Sequence, residues 1–96
     1  MECKLDFEDV LKNLNSWKVS NDGREAIIKD FEFSDFKSAF SFMTKVALKA
    51  EELGHHPEWF NVYKTVEVTL KTHDVNSLSD LDKKLSEKMD LFFLDK

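Results

Sequence analysis

The sequence contains few residues that cross-link, break or loosen a chain. Its 96 residues include one cysteine, one proline and two glycines. The single cysteine, Cys3, excludes an internal disulfide, and the scarcity of glycine and proline predicts long elements joined by few loops. Because Cys3 lies close to a terminus, we expect it to be a bystander rather than a nucleophile.

Two further absences narrow the class of protein. No hydrophobic run approaches the ~20 residues of a membrane span, and the first ten residues, MECKLDFEDV, contain no hydrophobic signal region. Fourteen basic and nineteen acidic residues give a net charge of −5, without a basic stripe. The sequence therefore predicts no membrane association and no direct nucleic-acid binding. We expect a cytoplasmic protein, with the nucleus as a second compartment that a small oligomer can reach.

The apolar residues that are present suffice for one core. Hydrophobic residues make up 42% of the chain, and twelve residues are aromatic, nine of them Phe. A chain of this length is typical of one domain, so residues 1–96 are treated as a single unit.

Hydrophobic spacing in the first half predicts a short helix over 5–14, then strands over 17–20 and 25–33. The turn Asn21-Asp22-Gly23 joins these strands into a hairpin. Ser34 is the predicted N-cap of a long helix that runs to Leu53. Gly54 is its predicted left-handed C-cap. The predicted apolar face of this helix consists of Phe36, Phe40, Met43, Ala47 and Ala50.

The second half predicts another hairpin and a final helix. Strands over 59–63 and 65–73 meet around Lys64, and alternation places Val66, Val68 and Leu70 on the buried face. Ser79 and Asp82 have the spacing of a capping box. The helix that follows carries an apolar stripe of Leu81, Leu85, Met89 and Phe92. The order α-β-β-α-β-β-α predicts an α+β fold, a four-stranded antiparallel sheet with helices packed on one face.

Three histidines are the candidates for chemistry. His55 and His56 follow the long helix and His73 ends a strand, and such loop positions often carry function. Solvated loop histidines are the alternative. Imidazoles titrate near neutrality, which suits acid–base catalysis, and Glu51 lies one turn before His55, where it could orient a ring. A metal site is disfavoured, because adjacent histidines rarely aim at one ion and no HExxH or CxxC spacing occurs.

Two tryptophans leave a choice open. Trp17 and Trp59 could form flat walls for an aromatic ligand, or they could fill the core. Residue type and spacing do not decide between these interpretations.

The segment from residue 51 to residue 82 resembles the pterin-4a-carbinolamine dehydratase family. That family's pattern is an acidic residue, three residues, His-His-Pro, an aromatic residue, and then a distant His and Asp. The matching positions are Glu51, His55, His56, Pro57, Tyr63, His73 and Asp82. The resemblance also includes Asp22-Gly23-Arg24 and the helical segment FMTKVAL, and it covers residues from about 17 to 85.

The resemblance implies dehydration of 4a-hydroxytetrahydropterin to quinonoid dihydropterin plus water, a step of tetrahydrobiopterin recycling. The implied catalytic residues are His55, His56 and His73, and which of them is the acid and which the base stays open. No metal or redox cofactor is implied, because the pterin is the substrate. The implied substrate contacts are Glu51, Gly54, Pro57, Trp17, Trp59, Lys71, Thr72 and Asp74.

The resemblance also implies self-association. Family members pair sheets edge to edge into homodimers, often joined through helices into homotetramers, and unpaired strand edges give a physical reason. The alternative function is a non-enzymatic dimerisation scaffold, a coactivator of a homeodomain transcription factor as in animal relatives. Three histidines together favour catalysis, since a scaffold has no physical need for them.

Overall fold

The computed structural model describes residues 16–20, 26–71 and 79–94. Its elements are β1 (Lys18–Val19), β2 (Ile27–Glu32), α1 (Phe36–Leu53), β3 (Glu58–Val62), β4 (Thr65–Leu70) and α2 (Asp80–Leu94). Several predictions lie outside the described residues: Cys3, the helix over 5–14, the turn over 21–23, and the site residues Thr72, His73 and Asp74. Neither helix of the described ranges is long and apolar enough to cross a membrane.

The four strands form one antiparallel sheet in the order β1-β2-β4-β3. Both predicted hairpins are present, β1 with β2 and β3 with β4, and β2 joins them by pairing with β4. Ile27 lies opposite Leu70, and Glu58 lies opposite Thr69. The prediction of an α+β fold with a four-stranded antiparallel sheet is confirmed. Tyr63, at the tip of the second hairpin, adopts a left-handed backbone with φ 51°.

The core lies between the sheet and the helices. Val66, Val68 and Leu70 are buried, as their alternation predicted. Leu85 and Met89 of α2 pack into the same cluster, whereas Leu81 and Phe92 of the predicted stripe are only half-buried. Burial of such side chains contributes about 25 cal/mol per Å² of apolar surface removed from water. This cluster holds both helices on one face of the sheet.

The predicted apolar face of α1 was largely wrong. The structure buries Ala39, Phe42, Val46 and Ala50, while Phe36, Phe40 and Ala47 are exposed and Met43 is half-buried. Two adjacent stripes of this helix are apolar, so spacing alone could not separate them. The sheet decides between them, because the Phe42 ring packs 4.8 Å from that of Phe31 and 5.1 Å from that of Phe33.

The caps of α1 confirm one prediction and correct another. Asp35, not Ser34, is the N-cap, with an extended backbone and a carboxylate that accepts the Ser38 N–H at 2.8 Å. The helix begins at Phe36, one residue later than Ser34 would require, because this bond satisfies a backbone donor of the first turn. Gly54 is the left-handed C-cap as predicted, at φ 66° and ψ 31°.

Candidate active site

Three segments meet at one end of the sheet, which we call the histidine end. Because Glu58 pairs with Thr69, the residues that precede β3 lie at the same end as those that follow β4. His55, His56 and Pro57 precede β3, and Lys71 follows β4. Residue 82, in the first turn of α2, also reaches this end, because its carboxylate contacts His55. The topology therefore gathers side chains that are far apart in the sequence.

His55 is held by both its backbone and its side chain. The αL conformation of Gly54 lets the His55 N–H donate to the carbonyl of Ala50 at 3.0 Å, as in a Schellman cap. The imidazole Nε2 lies 2.6 Å from the Oδ1 of Asp82, with side-chain exposures of 10% and 0%. A buried carboxylate at this distance fixes the orientation of the ring.

Asp82 is itself held in place by the start of α2. Its Oδ2 accepts the backbone N–H of Ser79 at 3.0 Å, and the Ser79 hydroxyl accepts the N–H of Leu81 at 3.2 Å. These two bonds confirm the predicted capping box. The same carboxylate thus caps the helix through one oxygen and orients His55 through the other.

His56 has a different environment. Its Nε2 lies 2.5 Å from the Oε2 of Glu51, but the two side chains are 62% and 76% exposed. Glu51 therefore orients an imidazole, as suggested from the sequence, and that imidazole is the ring of His56. An exposed pair of this kind is screened by water and holds its geometry less firmly than a buried pair.

The remaining predicted contacts divide into two groups. Gly54, Pro57 and Lys71 lie at the histidine end. Trp59 is half-buried against the core, on β3 opposite Val68.

The structure does not bring Trp17 to His55 and His56, the two histidines of the described residues. It is buried and donates its indole N–H to Asp90, two turns beyond Asp82 on α2. Those eight residues correspond to about 12 Å along the helix. The core-filling interpretation of Trp17 therefore agrees with its position.

Asp82 is the residue that the sequence-based site omitted. The capping box and the family pattern both contain Asp82, but neither of these local signals shows that its carboxylate contacts a histidine. Two imidazoles, each next to its own carboxylate, are groups that can transfer protons. Within the described ranges, no three His, Cys, Asp or Glu side chains form a group that could hold a metal ion.

The chain is similar to known proteins over most of its length. Residues 4–92 match the family model described as pterin 4 alpha carbinolamine dehydratase. A protein of Sinorhizobium fredii is 53% identical over 90 residues, which cover 91% of this chain and 85% of the relative. One of Dinoroseobacter shibae is 67% identical over 69 residues, 72% of this chain and 71% of the relative. Both are named as candidate pterin-4-alpha-carbinolamine dehydratases.

A solved structure is similar over nearly the whole chain. It is the crystal structure of a transcriptional coactivator/pterin dehydratase from Brucella melitensis, with a TM-score of 0.90 and 46% identity. The match covers 94% of this chain and 98% of the Brucella chain. The fold described above is therefore shared with an experimentally determined structure.

Proposed function

Because the chain belongs to the pterin 4 alpha carbinolamine dehydratase family, we propose that it dehydrates a 4a-hydroxytetrahydropterin to the quinonoid dihydropterin and water. The observation that carries this proposal is the buried pair of His55 and Asp82 beside the exposed pair of His56 and Glu51. Both imidazoles lie at the histidine end of the sheet, and each is paired with its own carboxylate.

The reaction requires two proton movements. The bond between C4a and the hydroxyl oxygen breaks, and the oxygen leaves as water after it gains a proton. A ring nitrogen loses its proton, and the electron pair that is freed forms a carbon–nitrogen double bond to C4a. No electrons are gained or lost overall, so the proposed reaction needs no redox cofactor. Positioned acids and bases typically accelerate such transfers about 10²–10⁴-fold.

The environments of the two described histidines support different roles. His55 is buried and held by Asp82, so its ring has the fixed geometry that a proton-transfer group needs. His56 is exposed, and its pairing with Glu51 suits substrate positioning and assistance. We assign the second proton-transfer group to His73, which lies outside the described residues, on the family pattern alone.

A stopped-flow ultraviolet assay of 4a-hydroxytetrahydropterin decay tests the proposal. Wild-type protein should accelerate the decay, and His55→Gln and His73→Gln should each remove most of that acceleration. Glutamine is preferred to alanine at residue 55, because its amide N–H can still donate to Asp82 and the buried carboxylate keeps a partner. A folded wild-type protein without any acceleration would contradict the proposed activity.

A second role is favoured by two observations. The Brucella melitensis neighbour is named a transcriptional coactivator as well as a pterin dehydratase. Here Phe36, Phe40 and Ala47 form an exposed apolar face on α1, and exposed apolar surface is common at protein interfaces. We propose that this chain forms homodimers or homotetramers and that it can bind a protein partner. Sedimentation equilibrium of wild type and Phe40→Glu tests self-association, and a wild-type protein that is only monomeric at micromolar concentration would contradict it.

A further inference from the structure

The two carboxylate oxygens of Asp82 have partners of different kinds. Oδ2 accepts the backbone N–H of Ser79 at 3.0 Å, and Oδ1 lies 2.6 Å from the Nε2 of His55. A backbone N–H can only donate, whereas an imidazole nitrogen can donate or accept. The start of α2 therefore determines which way the carboxyl group of residue 82 faces.

This arrangement determines which nitrogen of the neutral His55 ring carries the hydrogen. An ionised carboxylate has no proton to give, so the Nε2 of His55 must carry the hydrogen of the 2.6 Å bond. In the neutral ring the other nitrogen, Nδ1, then has a free lone pair. No hydrogen bond joins Nδ1 to any of the described residues.

We propose that the Ser79–Asp82 cap fixes the Nε2–H tautomer of His55, and that Nδ1 is the atom that exchanges a proton with the pterin. The first half concerns the protein alone, and the second half rests on the proposed dehydratase function. When Nδ1 accepts a proton from a ring nitrogen of the substrate, the ring becomes an imidazolium that Asp82 stabilises across the Nε2–H bond. Ser79 and Asp82 act through His55, so both are positioning residues.

The amide variant Asp82→Asn distinguishes this idea from a simple packing role. The Ser79 N–H still requires an acceptor, so the carbonyl oxygen of the new side chain must face Ser79. Its NH₂ group then faces the Nε2 of His55, which must become an acceptor. The hydrogen moves to Nδ1, and the lone pair needed there for the reaction disappears. Size and shape hardly change.

Glu51→Gln is the matched control. Glu51 pairs with the Nε2 of His56 in the same way, but the pair is exposed. Among the described residues, no backbone N–H donates to the second carboxylate oxygen of Glu51. The amide can therefore turn to present either its oxygen or its nitrogen, and it does not force the tautomer of His56.

Long-range ¹H–¹⁵N NMR of histidine-labelled protein, at a pH where the rings are neutral, reads the tautomer directly. We expect Nε2–H on His55 in wild type and in Glu51→Gln, and Nδ1–H in Asp82→Asn. In the stopped-flow assay Asp82→Asn should lose about 10²–10⁴-fold in kcat with KM little changed. Glu51→Gln alters the pair assigned to substrate positioning, so it should change KM more than kcat.

Each part of the proposal is overturned by a different experimental result. Nδ1–H on wild-type His55 would overturn the tautomer assignment. This measurement needs no variant, so the assignment can be tested even if Asp82→Asn does not fold. Nε2–H retained in folded Asp82→Asn would overturn the role of the Ser79 N–H. Wild-type protein with Nε2–H but without dehydratase activity would overturn the proposed function and leave the tautomer assignment standing. An active wild type with the wrong tautomer would do the reverse.

Discussion

The Oδ1 of Asp90 lies 2.7 Å from the Nζ of Lys29, and the same oxygen accepts the indole N–H of Trp17 at 3.0 Å. Lys29 pairs with Val68 across the sheet and therefore points to the helix face. Its side chain is only 8% exposed, and its ammonium lies 4.7 Å from the centre of the Phe31 ring. The Asp90 carboxylate of α2 therefore links Lys29 of β2 and Trp17, which precedes β1, to the helix layer.

We expect Asp90→Ala to destabilise the fold by about 3 kcal/mol, because it leaves the buried Lys29 charge without this partner. The double variant Lys29→Met, Asp90→Leu should recover much of the loss, since it removes both charges. Urea unfolding measures these differences. Lys84→Ala, which breaks the exposed pair with Asp80, is the control and should cost no more than about 1 kcal/mol. Equal losses for Asp90→Ala and Lys84→Ala would contradict this account.

The buried face of α1 predicts unequal effects for two neighbouring phenylalanines. Phe42→Ala should lower the free energy of unfolding by about 3–5 kcal/mol, because its ring packs on Phe31 and Phe33. Phe40→Ala should change it by about 0.5 kcal/mol or less within one subunit, since that ring is exposed. Urea unfolding at several protein concentrations separates this effect from any loss of self-association. A larger concentration-independent loss for Phe40→Ala would show that the faces are exchanged.

Gly54→Ala should cost about 1–2 kcal/mol through the backbone alone. The residue has φ +66°, and an added Cβ would meet no atom within 4 Å. Asparagine tolerates this conformation better, so Gly54→Asn should lose less stability. Thermal unfolding of the three proteins gives the order. If alanine and asparagine were equally harmful, a cause other than the left-handed backbone would be required.

Asp35 makes part of the stability depend on pH. The hydrogen bond from the Ser38 backbone N–H holds the pKa of this carboxyl below its ordinary value of 3.8. Because the folded pKa is lower, the stabilisation is fully present above the ordinary value and is lost as pH falls through the folded pKa. Asp35→Ala should therefore lower Tm at neutral pH, and its difference from wild type should shrink in acid.

Ser34→Ala is the control for that measurement. Ser34 lies outside the helix, and Asp35 is the N-cap. Removal of the Ser34 hydroxyl should therefore leave Tm unchanged at every pH. A pH-dependent loss for Ser34→Ala, with none for Asp35→Ala, would restore Ser34 as the cap.

The two described histidines should differ in kinetics. His55→Gln should lower kcat by about 10²–10⁴-fold, because it removes a buried, oriented proton-transfer group. His56→Gln should act more on KM than on kcat, since its exposed ring is assigned to substrate positioning. Steady-state kinetics of pterin dehydration measure both constants. The opposite split between the two variants would exchange the roles.

Much of the fold could be predicted because its signals are local. The alternation of Val66, Val68 and Leu70 was enough to identify a strand and its buried face. In α1 the same reasoning failed, because the helix carries two apolar stripes and local spacing cannot show which one meets the sheet. Sequence reasoning placed the candidate histidines in loops, but it did not identify the carboxylate that pairs with each ring. Such partners are chosen by distances across the fold.

The sequence by itself determined the order of the described elements, the left-handed end of α1 at Gly54 and the capping box of Ser79 and Asp82, since each depends on neighbouring residues. Only the tertiary structure decided that Asp82 pairs with His55, 27 residues away, and that Glu51 pairs with His56. It also brought the nearly covered side chain of Lys29 into contact with Asp90. The physical reason is that hydrogen bonds and packing act over a few ångströms of space, and separation along the chain does not specify that distance.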